Sequence, residues 1–152
     1  MQGKATIGGH PIHPMLIPFP IGFFVGALVC DIILAFTGNP FWPQVSVVLI
    51  GFGIVGALLA ALFGFIDYAT ASMPADAKAT ATRHMTLNLL GVAVFVVAFW
   101  LRLGNNVSSA GIVLTIIGVL VLAVGGYLGG HLAYHFGVGV EERSGGRPTS
   151  VR

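Results

Sequence analysis

Charge is what this chain has least of. Only 8% of its 152 residues are Asp, Glu, Lys or Arg, where soluble domains carry about a quarter. A chain so poor in charge cannot cover a water-facing surface, so a freely soluble protein is excluded. No charge lies between Lys4 and Asp31, between Asp31 and Asp67, or between Arg102 and Glu141. Each gap holds a membrane span of roughly 20 residues. Cysteine is nearly absent as well. The single Cys30 excludes an internal disulfide and a thiolate cluster within one chain. The net charge of +2 is too sparse for a nucleic-acid surface. No serine, cysteine or threonine stands out beside a histidine and a carboxylate, so hydrolysis has no nucleophile to point to. The first apolar run starts behind a proline-rich stretch and lacks an Ala-x-Ala site, so it is not expected to be a cleaved leader.

What is present in quantity is apolar, 56% of the chain. The runs predict an all-α integral membrane protein, an antiparallel four-helix transmembrane bundle with a proline-rich N-terminal strap. One domain is expected over residues 1–140, with spans at about 16–37, 42–67, 84–103 and 109–136, and a flexible polar tail over 141–152. The uncharged stretch 37–43 and residues 104–109 read as turns. Ser72 followed by Pro74 and Asp76 reads as a helix start, with serine as the N-cap. The third helix is therefore expected to begin near Met73 and run to Leu103. No convincing sequence repeat is visible, although four spans could be two helical hairpins. Glycines at helix-packing spacing, such as Gly22/Gly26 and Gly125/Gly129, let backbones approach closely and are compatible with a homodimer.

Lys4, Lys78, Arg83, Arg143, Arg147 and Arg152 fall on one side of this topology and Arg102 alone on the other. The positive-inside rule then predicts a multi-pass protein of the bacterial inner membrane with both termini in the cytoplasm.

The strap over residues 8–22 carries two histidines, each followed by proline, and then Pro18 and Pro20. Proline removes a donor and disfavours the α region before it, so a rigid, extended or turned lead-in is expected. All five histidines, His10, His13, His84, His131 and His135, belong to the cytoplasmic end. His131 and His135 are i, i+4, with Tyr127 and Tyr134 on the same stripe; His84 and Asn88 are likewise i, i+4, and Asp67 comes to a similar height. A lone interfacial histidine is usually unremarkable, but five of five at one end point to a shared site. Imidazole ligates haem iron, Zn, Cu and Fe. One reading is a b-type haem held by two of His13, His84 and His131. Another is a bare Zn, Cu or Fe ion held by His131 and His135 with His84, His13 or Asp67, with the protein a sensor or carrier. A third is an unliganded scaffold subunit. Asp31 and Arg102 are expected at similar heights and to pair; a proton-relay carboxylate is the other reading of Asp31.

The segments GHPIHPMLIPFPIG at 9–22, Asp31, GFIDY at 64–68, His84 with Asn88, Leu101–Arg102 and GGHLAYHFGVGV at 129–140 resemble the bacterial family of small four-helix membrane proteins known as domain of unknown function 2231. The chain departs from it at Ala133–Phe136, where relatives tend to carry a basic residue beside the histidine. The resemblance implies electron transfer, because relatives are joined to Rieske iron–sulfur or cytochrome domains. It favours haem over a bare ion, an oxidoreductase component over a complete enzyme, and a quinone or redox protein as partner beside the lipid bilayer.

Overall fold

The computed structural model of the chain describes residues 3–104 and 109–140. The expected tail at 141–152, and most of the turn before the fourth span, lie outside the described residues. A two-stranded hairpin, β1 (Thr6–Ile7) and β2 (His10–Pro11), is followed by α1 (Ile12–Leu16), α2 (Pro18–Thr37), α3 (Phe41–Thr70), α4 (Ala75–Arg102) and α5 (Ser109–Tyr134). Four helical stretches are long and apolar enough to cross a membrane: Ile12–Thr37, Phe41–Thr70, Ala75–Arg102 and Ser109–Tyr134.

The strap is less extended than its prolines suggest. Gly8 and Gly9, at φ 57° and 84°, make the two-residue turn of a hairpin whose register pairs Ile7 with His10. Only glycine takes both positive angles without strain. Helix begins at once after Pro11. Pro14, Pro18 and Pro20 all fall near helix starts, where a missing N–H costs little. The Ile17 N–H still reaches the His13 carbonyl at 3.2 Å, and the Ile21 N–H reaches Ile17 at 3.3 Å. The prolines therefore loosen this entry without unwinding it. The strap is tied down by its backbone: the Ala5 N–H donates to Asp67 Oδ1 and the Lys4 N–H to Thr70 Oγ1, both at 3.0 Å.

One expected helix start is corrected. α4 starts at Ala75, with Pro74 as its N-cap residue and no side-chain cap, so Ser72 does not cap it. α2 ends on Gly38 in the left-handed conformation (φ 63°), and the Asn39 Oδ1 accepts the Phe41 N–H at 3.0 Å to open α3.

The four spans are two hairpins, and the hairpins are equivalent. Along α2 and α4 the equivalent positions are 71 residues apart: Pro20/Gly91, Phe24/Phe95, Ala27/Ala98 and Asp31/Arg102 are buried in both. Along α3 and α5 they are 65 apart: Ser46/Gly111, Ile50/Thr115, Gly53/Gly118 and Ala60/Gly125 are buried in both. Between Ser46–Ala60 and Gly111–Gly125 the order of buried, half-buried and exposed positions agrees everywhere except Gly51 against Ile116. Contacts repeat too. A Cβ on Gly53 would lie 2.5 Å from the Phe24 ring, and one on Gly118 would lie 2.6 Å from the Phe95 ring.

Equivalent residues also meet each other. Phe24 stacks on Phe95 with centroids 3.7 Å apart and planes at 14°. Asp31 meets Arg102, and His13 faces His84. Self-contact of equivalent positions is the mark of a two-fold relation and not of a translation. The three pairs lie at three heights along the helices, so the approximate axis runs along the bundle, as in membrane proteins built of parallel repeats.

Candidate functional site

At the strap end of this axis the core is hollow. A cavity of about 630 Å³ is lined by His13, His84, Asn88, Asp67, Gly64 and Gly129 among others, a size suited to a small organic ligand. One imidazole comes from each hairpin. His13 Nδ1 donates to the Ala60 carbonyl of α3 and His84 Nδ1 to the Gly125 carbonyl of α5, both at 2.7 Å. A carbonyl only accepts, so in each ring the proton is on Nδ1. That leaves each Nε2 with a bare lone pair, the tautomer a metal ligand needs, with the second nitrogen fixed by a backbone acceptor.

Glycines make the recesses. A Cβ on Gly64 would be 2.8 Å from His13 Nδ1, and one on Gly129 would be 2.8 Å from His84 Cε1. Each glycine sits one helical turn beyond the carbonyl that its histidine uses. The two half-sites are thus the same device built twice. Their ring centroids are 6.3 Å apart and their planes at 89°. The surroundings differ at Asn88, which donates to the His84 carbonyl at 2.7 Å and fills the space over Gly125, where a Cβ would meet it at 2.8 Å. Ile17, four residues past His13 as Asn88 is past His84, takes that position in the first half.

The other histidines lie elsewhere. His10 is exposed on β2. His131 and His135 stack on each other, centroids 4.6 Å apart and planes at 9°, with Phe136 edge-on to both. They are exposed, as are Tyr127 (75%) and Tyr134 (94%). The reason is the other face of α5: Gly111, Thr115, Gly118, Gly125 and Leu132 take its inner stripe, which turns the tyrosine–histidine stripe outward. Asp67 lines the cavity, but its Oδ1 is occupied by the strap. Among the described residues no group of three His, Cys, Asp or Glu is placed to hold a metal ion.

At the opposite end the polar pair is closed on itself. Arg102 Nη2 and Asp31 Oδ2 are 2.5 Å apart, with both side chains almost fully buried, and the Ser46 hydroxyl donates to Asp31 Oδ1 at 2.9 Å. A second cavity, of about 500 Å³, lies beside this pair, but its two charges are spent on each other.

The glycine recesses and the carbonyl acceptors escape sequence reading, because neither has a side chain to advertise it. The signal that could have found them is the common spacing of His13/His84, Phe24/Phe95 and Asp31/Arg102. No curated protein and no solved structure matches the chain. Residues 9–142 match the model of the predicted membrane proteins called domain of unknown function 2231, and the chain belongs to that family.

Proposed function

We propose that this is a membrane electron-transfer protein that holds a b-type haem between His13 and His84, one ligand from each hairpin. The observation that carries the reading is the pair of imidazoles, each fixed through Nδ1 with Nε2 left bare, 6.3 Å apart between centroids. Two metal–nitrogen bonds of about 2 Å, with about 1 Å from each nitrogen to its ring centre, separate two such centroids by roughly 6 Å. A bare ion wants three or four protein ligands, and only two converge here among the described residues. A porphyrin brings four nitrogens of its own and asks the protein for one or two axial imidazoles. When bound, the haem supplies a one-electron couple. The protein supplies the two ligands, their orientation through Ala60 and Gly125, and an apolar roof of Phe24, Val92 and Leu122. Lys4, Lys78 and Arg83 lie at the histidine end and Arg102 at the other, a bias that supports a site on the cytoplasmic side of a bacterial inner membrane. A quinone or a redox protein would then exchange electrons with it.

The test is the visible spectrum of protein purified in detergent, before and after dithionite. A sharp reduced band shared by wild type and by His131→Ala and His135→Ala, and lost in His13→Ala and His84→Ala, supports the assignment. A preparation that stays colourless after haem is supplied overturns it.

A further inference from the structure

We infer that the two hairpins are interchangeable docking surfaces for one another, and that the Asp31–Arg102 pair is the element that assigns one hairpin to the other. The inference rests on the packing along the axis and is independent of what fills the histidine cavity.

On the axis, like meets like almost throughout. Histidine faces histidine and phenylalanine stacks on phenylalanine. Two of the flanking buried pairs also match in bulk, Ala27 with Ala98 and Gly53 with Gly118. A pairing of two first hairpins, or of two second hairpins, would satisfy all of these contacts equally well. One axial position is different. Asp31 and Arg102 are equivalent in place and opposite in charge. Two first hairpins would bring two carboxylates together in the apolar interior, and two second hairpins would bring two guanidiniums together. Either is heavily penalised there, so only the unlike pairing survives. Discrimination of this kind works by what it makes costly in the wrong partner.

The pair is poorly suited to a purely stabilising role. A buried ion pair loses about as much in desolvation as it regains in attraction. Arg102 Nη1, fully buried, has no hydrogen-bond partner among the described residues. Each charge also has its own companion at equivalent places on α3 and α5. Asp31 receives the Ser46 hydroxyl. Arg102 packs over Gly111, where a Cβ would already be 3.3 Å from its Nε. Aspartate goes with serine, and arginine goes with the space glycine leaves.

The experiment is a reciprocal exchange in the full chain, read as the yield of monodisperse protein in detergent and its thermal unfolding, neither of which needs a bound cofactor. Asp31→Arg or Arg102→Asp alone puts like charges on the axis, and each should lower the yield about tenfold or more. Exchanging both charges together with Ser46→Gly and Gly111→Ser should recover most of the wild-type yield, and more than the two charge changes without their companions. An apolar pair, Asp31→Leu with Arg102→Met, should stay within about twofold of wild type, since it removes the discrimination and not the packing. A fourfold exchange no better than the single reversals, or no better than the twofold one, overturns the equivalence of the hairpins. An apolar pair as damaging as the single reversals overturns the assigning role.

Discussion

The two ends of the bundle put the same construction to different uses. Each end places a pair of polar side chains from equivalent positions on the axis of an apolar protein. At the Asp31 end the partners touch, 2.5 Å apart, and each uses the other. At the His13 end the partners stop at 6.3 Å between centroids, and each satisfies one nitrogen on a backbone carbonyl of its own hairpin. A polar pair that closes on itself is a fastening. A pair whose members are each held from behind, with two lone pairs left over and a cavity beside them, is an opening for a third party. Burial alone would not separate the two cases; the destination of every hydrogen-bonding atom does.

The comparison breaks most decisively at the histidines. His13→Ala and His84→Ala should each abolish binding of the proposed haem while leaving folded protein, because the ion pair and the Phe24–Phe95 stack are untouched. A haem spectrum that survives both changes would put the ligands elsewhere.

Next in size are the recesses. Gly64→Ala and Gly129→Ala place a methyl 2.8 Å from ring atoms of His13 and His84. Each ring must leave its carbonyl, and loss of such an orienting contact weakens metal binding about 10- to 100-fold. Haem titration of detergent-purified protein measures this. Equal losses in the two variants would sharpen the claim that one device is built twice; retention of wild-type affinity by both would refute the role given to the glycines.

The helical spans and their number were legible in the runs between charges, and the pairing of Asp31 with Arg102 in their matching heights. The collection of histidines at one end was legible as well, but not which of them turn inward. His131 and His135 share a helix face as their spacing requires. What decides whether that face looks in or out is the opposite stripe, where Gly111, Gly118 and Gly125 admit Arg102, Phe95 and Asn88. Glycine is common throughout membrane helices, so the stripe has no contrast in the sequence. The repeat was hidden for a related reason. Equivalent positions share burial and not identity, so Ile50 answers Thr115 and Ser46 answers Gly111 without any visible likeness. The strap misled because proline forbids helix only where an N–H is needed, and most of its prolines sit where none is.

Midway along the axis the two hairpins should respond alike. Gly53→Ala and Gly118→Ala each drive a methyl to about the same distance from a phenyl ring, 2.5 and 2.6 Å. Neither ring can retreat, because the two are stacked at 3.7 Å. Overpacking of this kind costs about 1–3 kcal/mol, read as a lowered unfolding temperature in detergent. A marked inequality between the two variants would show that the halves bear load differently and weaken the two-fold description.

The smallest effect tests whether Asp31, at the fastening, has more partners than it needs. Ser46 donates to Asp31 at 2.9 Å, but Asp31 keeps Arg102 when the hydroxyl is gone. Ser46→Ala should therefore cost only about 1 kcal/mol, the net worth of one hydrogen bond, and leave haem affinity unchanged at the distant end. The same residue at the equivalent place, Gly111→Ala, meets Arg102 instead, with its Cβ 3.3 Å from Nε. It should cost at least as much by displacing the guanidinium. If Ser46→Ala proves the more damaging, the hydroxyl is holding the carboxylate in place for the arginine, and the ion pair is less self-sufficient than its geometry implies.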